Sequence, residues 1–305
     1  TRQTERGADG RVKAYVIPAA QHDPLTARKL VNLLLDSGVE VQEAKAQFIT
    51  DGRVYGPGSF VVSMAQPKMG LVRWMLDRTF YPDNSYTRDR EGNPIRPYDM
   101  ATDTFAEFMG VRCDAIGEPI TADVTKLTAR VPLAGTVASG AAKAFVLSAK
   151  SNDSFHAINL LLEKGVAVRR AARDSGSVMA GDFVVAGGSN AALSDVAKTT
   201  GVQFTALTAD APAALYDVRK PRVAMYQRYG GGNMDEGWTR LTFEQFNVPY
   251  TSIMDKELKA GDLNAKYDVI VLPNDSIANM TGERPERERG AAGAPGGGGQ
   301  GPIPE

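Results

Sequence analysis

The chain has 305 residues and a formal net charge of −1 from 35 basic and 36 acidic residues, with 43% hydrophobic and 23% charged side chains. That length admits two or three domains, and charge so evenly spread excludes the basic footprint of a nucleic-acid or anionic-membrane binder. Apolar runs such as Phe60-Val61-Val62 fall far short of the roughly 20 residues that cross a bilayer, and a single cysteine, Cys113, excludes an internal disulfide or a cysteine metal cluster.

Thr1 is not a methionine and no basic-then-apolar targeting stretch follows it, so the natural amino terminus is expected upstream. Residues 12–19 read as an apolar strand. Asp23 stands where a helix N-cap belongs and Pro24 at the first helical position, after which Leu30, Leu33 and Leu34 recur at helical spacing until Gly38 stops the turn. Two β-rich runs, 39–49 and 60–65, are joined through Asp51-Gly52 and Gly56-Pro57-Gly58, which predicts a hairpin. A helix over 68–78, an inserted loop at 80–101 and a strand over 111–116 follow. Cys113, inside that strand, reads as a small buried thiol. Residues 118–142 read as a polar linker with one extended strand at 129–137.

The pattern then repeats. Lys143-Ala144-Phe145-Val146-Leu147 matches Lys13-Ala14-Tyr15-Val16-Ile17; Asn159-Leu160-Leu161-Leu162 matches Asn32-Leu33-Leu34-Leu35; Gly181-Asp182-Phe183-Val184-Val185 matches Gly58-Ser59-Phe60-Val61-Val62. In the second copy Asp153 is the expected cap and Gly165 the stop, with a second helix over 191–200 and a last strand over 202–207. Units 11–117 and 143–208 are therefore each expected to be a β-α-β-β-α-β arrangement.

A third region, 219–281, opens with a strand over 222–229, a turn at Gly230-Gly231-Gly232 and a helix over 235–246. Strands over 250–253 and 267–273 follow. The apolar run Val269-Ile270-Val271-Leu272 is of the kind buried on both faces in a parallel sheet. Three strands are fewer than the about five of a doubly wound sheet, so a truncated flavodoxin-like domain is expected. Residues 282–305, rich in Gly and Pro, are expected to be a disordered low-complexity tail. The fold class is α/β of the α+β kind.

Catalytic chemistry finds few candidates. A hydrolytic zinc site needs three or more convergent ligands, but His22 and His156 are the two histidines and neither opens a His-x-x-Glu pair. Both are read as solvent-facing or structural. Asp153, Ser154 and His156 lie too close along one helix start to form a triad, and capping accounts for them. Phosphate binding at the glycine turn is opposed by Asp235 as cap and Glu236 in the first turn, which place negative charge at the helix start; a weaker alternative makes these two an acid and a base. Tyr229, Gly231, Asp235 and Trp238 remain as a weak ligand loop. Trp74, Tyr81, Tyr86, Arg96 and Tyr98 crowd the 80–101 insertion and suit an interface; the simpler alternative is a loop packed back on its own domain.

Met64-Ala65-Gln66-Pro67, Tyr81-Pro82-Asp83, Arg96-Pro97-Tyr98-Asp99, Asp235-Glu236-Gly237-Trp238-Thr239-Arg240 and Tyr267-Asp268-Val269-Ile270-Val271-Leu272-Pro273, in this order, resemble the region downstream of the catalytic domain in large bacterial carboxypeptidase A-like zinc metallopeptidases. The resemblance covers nearly the whole chain. It implies that the zinc and its ligands belong to a missing upstream domain, so no cofactor is expected in this chain. It also implies a periplasmic or secreted setting. The third region is similar to the start of a class I glutamine amidotransferase-like domain, whose nucleophile has no counterpart because residues 209–305 hold neither Cys nor His. The expected function is a non-catalytic accessory region of such a carboxypeptidase. Its expected partners are the peptidase domain of the same molecule and a peptide or cell-wall ligand, with no nucleic acid and no membrane span. The alternative is a free-standing binding or scaffolding module with a ligand groove between the paired units.

Overall fold

Short apolar runs alternating with amphipathic helices define the architecture of the computed structural model, which describes residues 2–78, 82–95, 104–186, 190–212, 214–228 and 233–274. The tail expected at 282–305 lies outside the described residues. The first unit runs α1 (Arg2–Asp9), β1 (Ala14–Ile17), α2 (Pro24–Asp36), β2 (Gln42–Ala44), β3 (Phe48–Thr50), β4 (Arg53–Tyr55), β5 (Phe60–Ser63), α3 (Met69–Leu76), α4 (Phe105–Phe108) and β6 (Asp114–Ile116). The connector supplies β7 (Val124–Lys126) and β8 (Thr136–Val137). The second unit contains β9 (Ala144–Leu147), α5 (Asn152–Glu163), β10 (Val168–Ala171), β11 (Phe183–Ala186), α6 (Asn190–Thr200), β12 (Gln203–Leu207) and β13 (Leu215–Asp217). The third region runs β14 (Val223–Tyr226), α7 (Met234–Gln245), β15 (Tyr250–Ile253), α8 (Asp255–Ala260), α9 (Leu263–Lys266) and β16 (Val269–Val271).

The class is α+β. The first sheet has the order β6-β1-β5-β2-β7 and the second β13-β10-β11-β9-β12-β8. In the first, β5 lies antiparallel between β1 and β2, and β6 flanks β1 antiparallel. In the second, β11 lies antiparallel between β9 and β10, and β12 flanks β9 antiparallel. Four strands thus share one order in both sheets. A crossover helix carries the chain past one strand position, and the strand that returns as a hairpin fills the gap. The helices cover one face of each sheet. Leu30, Val31 and Leu34 of α2 meet Tyr15, Ile17 and Val62 in one core, and Ile158 and Leu161 of α5 meet Phe145, Leu147 and Val185 in the other.

Asp23 and Pro24 start α2 as expected, with the Asp23 carboxylate accepting from Leu25 and Thr26 N–H. Gly38 and Gly165 follow α2 and α5 at φ 77° and 72°. Several expectations need correction. The helix of the second unit starts at Asn152 with Ser151 in the cap position, so Asp153 is not its cap; it lies in the first turn and pairs with Lys29 at 2.7 Å. The run 39–49 is not one strand, because exposed Lys45, Ala46 and Gln47 break it. Its second half joins a separate β3–β4 hairpin whose Asp51 and Gly52 both have positive φ, the turn geometry this dipeptide favours. Cys113 lies just before β6 rather than within a strand, packed against the first core, where burial and the neighbouring Asp114 and Asp77 push its thiol up to about 12. No element was expected before residue 11, yet α1 packs against α3. The linker gives two edge strands instead of one: β7 pairs with β2 and β8 with β12.

The third sheet is parallel, in the order β15-β14-β16. Every residue of β14 is buried, whereas β16 stands at the edge with Val269 49% exposed. The apolar run at 269–272 is therefore not buried on both faces: Ile270 packs against Ala224, Tyr226 and Ile253, whereas Val269 and Leu272 are about half exposed. At the other end of these strands Asp268 holds Arg222 through two guanidinium contacts of 3.2 and 2.7 Å and one backbone N–H, and those bonds hold its pKa down at about 2.

Candidate functional site

The two units meet at the starts of their first helices. Asp23 is 8% exposed. Besides the α2 amides and Thr26 Oγ1, it accepts from Ser151 Oγ at 3.0 Å and Asn152 N–H at 2.9 Å, at the start of α5. One carboxylate thus serves two helix amino termini, where N–H groups lack intrahelical partners. Burial alone raises its pKa; the bonds from Asn152, Thr26 and Ser151 outweigh that, and the net shift is downward. Lys29 Nζ, one turn further along α2, reaches both oxygens of Asp153 at 2.7 and 2.8 Å. Leu25 packs into the core of the second unit.

A cavity of about 410 Å3 opens beside this joint, within the range of small-molecule sites. Pro24, Leu25 and Arg28 of α2 form one wall. Further lining comes from β9 (Val146, Leu147), the turn after it (Ser148, Lys150) and β12 (Gln203, Thr205). Ser177, Met179 and Asp182, from the β10–β11 connection, also line it. Asp182 is buried, and its two oxygens accept from Ala149 N–H at 3.0 Å and Met179 N–H at 2.9 Å. Ser59, at the matching position of the first unit, accepts from Ala19 N–H at 3.0 Å. In both units this side chain fixes the turn after the first strand. That turn leads into the joint.

Of the catalytic, ligand and interface candidates singled out from sequence, Ser154 lines this cavity, with its Oγ donating to Ser148 O at 2.6 Å. Trp74, on α3, is 49% exposed and Tyr86 is 92% exposed, and the two share no ring contact among the described residues. Tyr81, Arg96, Tyr98, Tyr229 and Gly231 lie outside the described residues. Asp235 is exposed in the first turn of α7, but it is not the cap: Asn233 is, accepting Glu236 N–H at 2.7 Å. Glu236 is buried and bonds Arg240 Nε at 2.5 Å, one turn on, so Asp235 and Glu236 do not face one space as an acid and base. Trp238 is 67% exposed on the outward side of α7. His22 is exposed, and His156 Nε2 is 2.9 Å from Asn247 Oδ1. Among the described residues no three His, Cys, Asp or Glu side chains converge as metal ligands, and no helix is long and apolar enough to cross a membrane.

Two residues that sequence reasoning passed over also join parts of the chain. Asn32, buried on α2, exchanges two bonds with the Val131 backbone at 3.0 and 2.7 Å and so holds the linker. Asn159, its match on α5, donates to Phe246 O at 2.7 Å and holds the third region. The asparagines stood in the matched Asn-Leu-Leu-Leu strings, and a polar residue recurring in an otherwise apolar match was the available signal. No protein-family model, curated protein or solved structure matches the chain.

Proposed function

We propose that the chain is a non-catalytic accessory region, in a protein resembling a bacterial zinc carboxypeptidase, whose working part is the groove between its two units. The observation that carries this reading is the cavity itself: it is walled by both units and lies where Asp23 locks two helix starts together. A rigid joint supplies preformed walls, and a preformed site avoids the ordering cost that weakens flexible ones. The non-catalytic part is supported by the sequence, whose two histidines, His22 and His156, lie in separate units and open no His-x-x-Glu pair. Zinc, peptide-bond hydrolysis and a periplasmic or secreted setting belong, on this reading, to the upstream domain that the resemblance implies. A peptide or cell-wall fragment is the ligand class that the same resemblance implies.

Two measurements test it together. In NMR titration with N-acetyl-leucyl-leucine amide, shifts are expected at Leu25, Val146 and Thr205, and Gln203→Trp, which fills the groove from an exposed strand position, is expected to abolish them. Shifts elsewhere, or shifts that survive this substitution, would count against the groove. The purified chain is expected neither to hold zinc nor to release carboxyl-terminal residues from peptides; turnover lost on changing Asp235 would overturn the non-catalytic reading.

A further inference from the structure

The charges lining the groove differ in how they are engaged. Its carboxylate, Asp182, is buried and satisfied by two backbone N–H groups. The neighbouring Asp23 is likewise engaged, by five donors from two helices. The cations are not so matched. Arg28 has one long contact, 3.5 Å to Pro132 O, and the Lys150 side chain has no partner among the described residues; neither meets a carboxylate there. Lys29, next to Arg28 in sequence, is by contrast paired with Asp153. Two unmatched positive groups therefore stand at a cavity whose negative groups are turned to the backbone. Leu25, Val146 and Val202 supply apolar lining, and Thr205 adds a hydroxyl-bearing side chain.

We infer that this groove takes a small amphipathic anion, with a carboxylate or phosphate held by Arg28 and Lys150 and an apolar body lying on Leu25, Val146 and Val202. The inference rests on the groove being a binding site and adds the charge of what enters it. A guanidinium presents a planar fork that matches the two oxygens of either anion, and an ammonium adds a second positive point. In a cavity partly withdrawn from water such contacts gain strength. A cavity of about 410 Å3 accommodates an anion the size of a blocked dipeptide.

The test is isothermal titration calorimetry of the whole chain with three probes: N-acetyl-leucyl-leucine as the free acid, the same compound as its amide, and phenyl phosphate. The acid is expected to bind at least about tenfold more tightly than the amide, and Arg28→Gln and Lys150→Gln each to weaken the acid by about tenfold while leaving the amide unchanged. The ratio of acid to phenyl phosphate tells a carboxylate site from a phosphate site. Equal binding of acid and amide, or acid binding indifferent to both substitutions, overturns the inference. The failure of both charged probes also overturns it, and the amide then decides the underlying reading: binding that Gln203→Trp blocks keeps the groove as a site, and no binding removes it. Circular dichroism of each variant checks that the fold is intact.

Discussion

Asp23 receives hydrogen bonds from residues two and three positions ahead of it and from residues 151 and 152. Its role as cap of α2 was legible in the sequence, because Asp followed by Pro at a helix start has one local explanation. Its second role was not, because nothing local distinguishes a carboxylate that caps one helix from one that caps two. Asp153 shows the complementary error: its position invited the cap assignment, but its partner was Lys29, 124 residues away. Replacing Asp23 by Ala is expected to cost about 2–4 kcal/mol, a cap at each helix with charge-assisted bonds added, seen as a lower urea midpoint at neutral pH. Since the folded state lowers the Asp23 pKa, its stabilisation is present above the ordinary carboxylate pKa and fades as pH falls through the folded value. The gap between wild type and Asp23→Ala is therefore expected to narrow below about pH 4. A gap constant from pH 7 down to 3 would contradict this assignment.

At the scale of elements, the sequence was most readable where period and punctuation agree. The helix α2 sits between its expected cap and a glycine, α5 stops at its expected glycine, and the strands β1, β5, β9 and β11 are apolar runs in matched strings. Edge strands were less readable. The polar, small-residue connector offers little alternation, so β7 and β8 are formed by the sheets that accept them rather than by their own pattern. Close approach fixes β8 in particular. A Cβ added to Gly135 would lie 2.0 Å from Val202 O and 2.5 Å from Ala197 O, backbone atoms that cannot yield without shifting α6 or β12. Gly135→Ala is expected to detach the β8 edge and speed amide hydrogen exchange at Thr136 and Ala138, which donate to Val202 O and Phe204 O. Unchanged exchange there would show that the edge tolerates the side chain. The edge strand β16 teaches the opposite lesson: an unbroken apolar run signals burial only when neighbours exist on both sides, and neighbours are not written in the run itself.

At the scale of the whole molecule, the described units meet through side chains at particular joints. His156 and Asn159, on α5, meet Asn247 and Phe246 just after α7, and the His156 and Phe246 rings lie 5.9 Å apart. The candidate groove was legible only as the bare possibility that paired units enclose a ligand; its lining comes from segments more than 100 residues apart, which no local pattern reports. His156→Ala combined with Asn159→Ala is expected to free the third region from the second unit, seen as faster limited proteolysis at residues 217–221 with the sheet of the second unit still protected. Cleavage at the wild-type rate would show that other contacts hold the joint. The shared carboxylate at the first joint also constrains how such a chain can be recombined. A chimera that exchanges residues 1–117 for another segment keeps the orientation of its halves only if the incoming piece presents an acid at the position of Asp23, and one that exchanges residues 143–208 must bring a hydroxyl and a free amide to meet it. Neither half carries the angle between them alone.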